Sequence, residues 1–160
     1  MPNLELLEQA LPVAPLKIAA LESCREMGQK VNDYIVQFRR ETLKEDLNSP
    51  LFSNYQTDNY LIECHCPRFG SGEAKGLLKE SVRGKDLFIM VDVCNYSLTY
   101  SVNGHLNHMS PDDHFANLKR LIQAVAGKAH RVSVIMPSLY GGRQHRRVVR
   151  ESLDCAVALQ

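Results

Sequence analysis

The chain has 160 residues, of which 44% are hydrophobic, 23% charged and 7% aromatic, and its formal net charge is +1. That is one ordinary domain with a real core, and 9 Gly, 7 Pro and 5 Cys exclude a collagen-like, a disordered or a disulfide-framework chain. A charge so near zero sets up no global field toward nucleic acid or an anionic membrane, yet residues 141–150 hold Arg143, Arg146, Arg147 and Arg150 and no acid, which points to one small anionic site.

No apolar run approaches a membrane span. Met1 to Leu11 contains Glu5 and Glu8 and no basic stretch, so it does not read as a secretory signal. The scattered cysteines (Cys24, Cys64, Cys66, Cys94, Cys155) then read as reduced thiols of a cytoplasmic protein. A single domain over 1–160 is expected, with 1–15 as an N-terminal extension and 42–58 as a loop or insertion.

In chain order, Leu4 to Ala10 is a short helical candidate closed by Leu11-Pro12. Leu16 to Ala20 is a short apolar strand candidate. From Glu22 the period changes: Cys24, Met27, Val31, Ile35 and Phe38 fall three or four apart, which predicts an amphipathic helix covering a sheet. Residues 42–58 lack a clear period and carry the turn signal Asn48-Ser49-Pro50. Tyr60 to Cys66 alternates, with Tyr60, Ile62, Cys64 and Cys66 on one face, and predicts a strand. A loop over Pro67 to Gly72 leads to a short strand around Leu77 to Glu80.

Leu87 to Val91 is apolar throughout, the pattern of a strand buried on both faces in a parallel sheet. Ser110-Pro111-Asp112-Asp113 opens a helix: Ser110 caps, Asp113 closes the box, and Pro111 suits the first helical position. Phe115, Leu118, Leu121, Ile122 and Val125 form its stripe and Gly127 ends it. Arg131 to Met136 is another strand, Pro137 to Gly142 a loop, and Val149 to Gln160 a final helix. Alternating strands and helices predict an α/β sandwich with a mainly parallel sheet. Ligands of such sheets sit beyond the carboxyl ends of the strands.

The sharpest chemical segment is Tyr140-Gly141-Gly142-Arg143-Gln144-His145-Arg146-Arg147, just past a strand. Glycines allow a tight turn or close approach. Arginine grips phosphate with two prongs and does not lose its charge, while Gln144 could read a base or bridge a water. A solvated basic turn is the equally weighted alternative. In Arg68-Phe69-Gly70-Ser71-Gly72-Glu73 the aromatic could stack on a base and Glu73 could bond a sugar or amine. A hairpin with a buried Phe69 is the simpler reading there. Cys64-His65-Cys66 with His105 and His108 offers zinc-type ligands, but the spacing favours core cysteines. No Walker-type loop, Gly-x-Ser-x-Gly elbow or His-Glu-x-x-His appears.

Three segments in order resemble the N-terminal domain of ribose-phosphate pyrophosphokinase (phosphoribosyl pyrophosphate synthetase). Phe69-Gly70-Ser71-Gly72-Glu73 resembles that family's Phe-x-Asp-Gly-Glu loop. Glu80 to Ile89 (ESVRGKDLFI) is very similar to the strand approach that follows it. Pro137 to Arg147 (PSLYGGRQHRR) resembles Pro-Tyr-x-Gly-x-Ala-Arg-Gln-Asp-Arg-Lys. The likeness runs from Leu16 to Gln160, broken by 42–58 and by an unusual stretch at Cys94 to Met109.

The resemblance implies a three-layer, phosphoribosyltransferase-like (type I) sandwich. It implies transfer of pyrophosphate from ATP to ribose 5-phosphate with magnesium, giving phosphoribosyl pyrophosphate for nucleotide biosynthesis. Arg143, Gln144 and His145 would lie at the ATP site, and Phe69 and Glu73 in a loop that reaches a neighbouring subunit's ATP site. Homo-oligomers or assembly with synthetase subunits follow, with no membrane and no nucleic-acid partner. No catalytic residue is assigned, and the magnesium ligands belong to a second domain not found in this sequence.

Ser71 and His145 depart from the family's aspartates. The chain is therefore expected to be either a fragment of a larger enzyme, not fully active alone, or a non-catalytic relative that assembles with and regulates active subunits. An RNA- or anion-binding module built on Arg143 to Arg150 is the reading from another class, and the lack of interleaved aromatics weighs against it.

Overall fold

In the computed structural model, residues 13–42 and 57–160 are described. The helix expected over Leu4 to Ala10 and nearly all of the 42–58 insertion lie outside them. The centre is a three-stranded parallel sheet in the order β1-β4-β7, with β1 Leu16–Ala20, β4 Asp86–Met90 and β7 Arg131–Ile135. Leu16 pairs with Asp86, which pairs in turn with Arg131. The last pair is fixed by the Arg131 guanidinium, whose Nε donates to Asp86 Oδ1 at 2.8 Å.

The middle strand explains its own sequence. Leu87 and Ile89 point to one face and Phe88 and Met90 to the other, and both faces are covered. On one side Ala19, Leu87 and Ile89 pack with Phe115, Leu118, Leu121 and Val125 of α2 (Pro111–Val125). On the other, Ile18, Met90 and Phe88 pack with Cys24, Val31, Ile35 and Val36, from a 3-10 turn (Glu22–Cys24) and α1 (Arg25–Thr42). Helix, sheet and helix therefore form the three layers expected.

The buried stripe of α1 is rotated from the one the apolar spacing predicts. Met27 is 44% and Phe38 39% exposed, while Gly28 and Asn32 turn inward. A Cβ on Gly28 would overlap the Ala20 Cβ, so glycine lets the helix lie close on β1. The buried Asn32 accepts the Tyr60 backbone N–H at 2.7 Å. A similar exchange occurs in α2, where Ile122 is 40% exposed and His114 and Asn117 are buried instead.

Tyr60 to Cys66 keeps its predicted alternation but serves two sheets. Ile18 donates to the Tyr60 carbonyl at 2.8 Å and Ile62 donates to the Ile18 carbonyl at 2.9 Å, beside β1. Further on, β2 (Cys64–His65) pairs antiparallel with β3 (Leu77–Leu78). The stretch from Cys94 to Met109 holds an unexpected hairpin, β5 (Thr99–Val102) with β6 (His105–His108). Its turn, Asn103 and Gly104, has both φ angles positive, at 51° and 80°.

At α2 both halves of the capping box form, and Ala126 and Gly127 end it in the left-handed region. The final helix is shorter than expected: only α3, Asp154–Ala158, forms. Val148 and Val149 are 83% and 66% exposed, so the β-branched start of that segment has no core to offset its poor helix propensity.

Candidate functional site

Beyond the carboxyl end of β7 the chain makes the glycine turn. Gly142 donates to the Leu139 carbonyl at 3.1 Å and Gln144 to the Gly141 carbonyl at 2.7 Å. Gly141 has φ +65°, and a Cβ there would press on the backbone of Cys155, so the turn rests on α3. Tyr140 holds it from the other side. Its ring lies flat on Phe115, 4.1 Å between centroids and 3° between planes, and its hydroxyl donates to Asp112 at 2.7 Å. That bond, with some burial, pushes the phenol up to about 12.

Arg143 emerges from this turn exposed, with no hydrogen bond or ion pair to any described residue. Gln144 is exposed and accepts from the Ser152 hydroxyl at 3.1 Å. His145 Nδ1 lies 3.1 Å from the Gly142 carbonyl. A carbonyl only accepts, so Nδ1 carries the proton and Nε2 stays open.

The second segment is a tight hairpin. Arg68 bridges to Ala74, Phe69 donates to the Glu73 carbonyl at 2.7 Å, and Gly72 donates to the Phe69 carbonyl at 2.9 Å. Phe69 is not the buried residue that the simpler hairpin reading expects: it is 52% exposed. Ser71 donates its hydroxyl to Glu73 at 2.9 Å.

Arg68 anchors this hairpin. It donates to the Gly72 carbonyl at 2.7 Å and to Asp113 Oδ1 at 2.9 Å, and lies 3.7 Å over the ring of Tyr100 in β5. Burial would raise the Asp113 carboxyl, but the bonds from Ser110 and Arg68 outweigh it and hold the group below the usual range. Both candidate segments thus fasten to consecutive aspartates in the first turn of α2.

No hydrogen bond or ion pair joins Phe69 or Glu73 to Arg143, Gln144 or His145: the structure tethers the two segments to one helix end with no such bond between these residues. Sequence reasoning missed the tethers Arg68, Tyr140 and Asp112, and saw Asp113 only as a cap. A cavity of about 310 Å³ opens nearby, lined among others by Ser23, Cys64, Arg68, Tyr100, His114 and Asn117. None of the five predicted site residues lines it.

The zinc-type set does not assemble. Among the described residues no three His, Cys, Asp or Glu side chains converge on a metal position. The Cys64 thiol, pushed up to about 12 mainly by burial, donates to the Ala20 carbonyl, and Cys66 donates to that of Asn117. His105 and His108 stand exposed on β6.

With this geometry, a family model described as the N-terminal domain of ribose phosphate pyrophosphokinase matches residues 16–160. The chain belongs to that family. A solved relative in fold is the phosphoribosylpyrophosphate synthetase of Mycobacterium smegmatis, with a TM-score of 0.57 and 18% sequence identity. The alignment covers 90% of this chain and 37% of that one, so the chain spans little more than a third of the synthetase. No curated protein matches. The pyrophosphokinase family and the α/β fold with its parallel sheet are thus those the sequence resemblance implied. No helix among the described residues is long and apolar enough to cross a membrane.

Proposed function

We propose that this chain is the ATP-binding, N-terminal part of a ribose-phosphate pyrophosphokinase, which moves pyrophosphate from ATP to ribose 5-phosphate in the cytoplasm. The observation that carries the reading is the family match over residues 16–160. It is supported by the Arg143 turn, whose guanidinium is left unspent by the described residues just past a parallel strand. Arg143 neutralises the polyphosphate, Gln144 and the open Nε2 of His145 supply directional bonds, and the half-exposed Phe69 stacks on adenine in a neighbouring subunit with Glu73 beside it. In-line phosphoryl transfer needs positioning and charge more than covalent help, and positioning is what these two tethered segments offer.

Magnesium supplies charge neutralisation for such a transfer. Among the described residues no three acidic, cysteine or histidine side chains converge on a metal position, so they present no closed set of protein ligands for it.

Isothermal calorimetry of the 160-residue chain with ATP tests the reading. Arg143→Ala is expected to weaken binding about tenfold or more, the worth of a charge-assisted bond, and Arg143→Lys to restore part of it. Absence of ATP binding, or equal affinity in Arg143→Ala, overturns the assignment.

A second reading is a non-catalytic subunit that assembles with active synthetase chains. It is favoured by Ser71 and His145, which stand at the family's aspartate positions and spend polar atoms on closing their own loops. ATP affinity retained in an assembly whose turnover is unchanged by Arg143→Ala would select it.

A further inference from the structure

The cavity at the carboxyl end of β1 has features that the ATP reading does not use. At about 310 Å³ it sits at the lower end of the size of small-molecule sites. One wall is α2, through His114 and Asn117, which are 2% and 7% exposed. They are three residues apart and therefore share one helix face.

Each has one polar atom spent and one left over. His114 Nε2 lies 2.7 Å from the Asn95 carbonyl, which only accepts, so Nε2 carries the hydrogen and Nδ1 of the neutral ring is an acceptor. Asn117 Oδ1 accepts from Arg120 at 2.9 Å; a guanidinium only donates, so the amide orientation is fixed and its NH₂ is a donor. No fully enclosed polar side-chain atom among the described residues lacks a partner. Neither spare atom is fully enclosed, and both residues line the cavity.

The charged groups of the lining are already satisfied. Arg68 is paired with Asp113, and Glu22 with Arg25 at 2.5 Å. Leu21, Leu98 and Met109 complete an apolar boundary. An acceptor next to a donor, with the neighbouring charges already paired and apolar side chains around them, is the complement of a flat ring that presents a donor next to an acceptor along one edge. Nucleobases carry that edge.

We propose that this cavity is a second ligand site, taking a neutral nucleobase or its nucleoside by its donor–acceptor edge against His114 and Asn117. It does not depend on the Arg143 turn, which does not line it.

The test is saturation-transfer NMR followed by calorimetry on the 160-residue chain, with adenine, hypoxanthine, cytosine, uracil and their nucleosides as probes. At least one is expected to bind with one-to-one stoichiometry. Asn117→Asp keeps the acceptor for Arg120 but removes the donor, and should weaken that probe about tenfold. Thr99→Trp, at an exposed position on the cavity rim, should abolish binding with unchanged circular dichroism, and so serves should Asn117→Asp fold poorly. Arg143→Ala should leave base affinity unchanged whatever it does to ATP. The proposal is overturned by no binding at millimolar probe, by binding that survives Thr99→Trp, or by base binding that is lost in Arg143→Ala.

Discussion

Replacing Arg68 by Ala removes three interactions at once, and the structure sets the size of the loss. The pair with Asp113 is sheltered, with side-chain exposures of 12% and 21%. Breaking a buried ion pair costs about 3–5 kcal/mol when it strands a charge, whereas an exposed pair is worth about 0–1. Asp113 is not stranded here, because the Ser110 backbone N–H at 3.0 Å and hydroxyl at 2.9 Å still serve its carboxylate. That brings this part to about 2 kcal/mol. The guanidinium over Tyr100 at 3.7 Å adds about 1 kcal/mol more. With about 1 kcal/mol for the lost bond to the Gly72 carbonyl, Arg68→Ala should lower the unfolding free energy by about 4 kcal/mol in guanidinium titration, with an unchanged slope. Arg68→Lys, which keeps charge but loses the fork and the flat stacking surface, should lose about half as much. A loss below about 1 kcal/mol for the alanine variant would mean that this guanidinium is merely solvated, and would remove the anchor of the 68–74 hairpin.

Gly28→Ala should destabilise the fold by about 1–3 kcal/mol despite alanine's better helix propensity, because the new methyl collides with Ala20 on a strand that cannot yield; a melting temperature equal to or above wild type would contradict the close approach of α1 to β1. In timed alkylation at pH 8, the exposed Cys94 should be labelled first, while Cys24 and Cys64, pushed up to about 11 and 12 chiefly by burial, stay protonated. The Cys64 thiolate fraction would be about 10⁻⁴, and mass spectrometry showing Cys64 modified as fast as Cys94 would refute its burial. The depressed Asp113 carboxyl contributes stability that is present above the ordinary carboxylate range and lost as pH falls through its folded value. Asp113→Asn should thus flatten the fall in stability between neutral pH and about pH 3; an identical fall in both proteins would show that the carboxyl is not perturbed.

The layers of the fold were legible wherever one local rule dominated. Five apolar residues in a row at Leu87 to Val91 specify a strand covered on both faces, and Ser110, Pro111 and Asp113 write a helix start in side-chain chemistry. The helix faces were less legible, because helix and sheet meet at Gly28 and Asn32, chosen for size and for a single hydrogen bond, while Met27 and Phe38 lie toward solvent. The hairpin from Thr99 to His108 had a signal in Asn103-Gly104. Leu98, Tyr100 and Val102 alternate before that turn, but His105 to His108 after it holds a single apolar residue and is exposed throughout, so only half of a hairpin's pattern is present. The Arg143 turn and the Phe69 loop were located as segments, since glycines and a charged or aromatic residue stand out in sequence. Their supports could not be seen: the pairing of Arg68 with Asp113, 45 residues away, and of Tyr140 with Asp112, 28 away, exists only once the chain has folded.

Asp112 and Asp113 are neighbours in a single helical turn, yet each belongs to a different loop. A shift or fraying of that turn would move both loops together, in the same direction and by similar amounts. Selection acting on one loop therefore meets the other as a constraint, and an engineer wishing to retune the arginine turn alone would first have to give the aromatic hairpin a footing of its own.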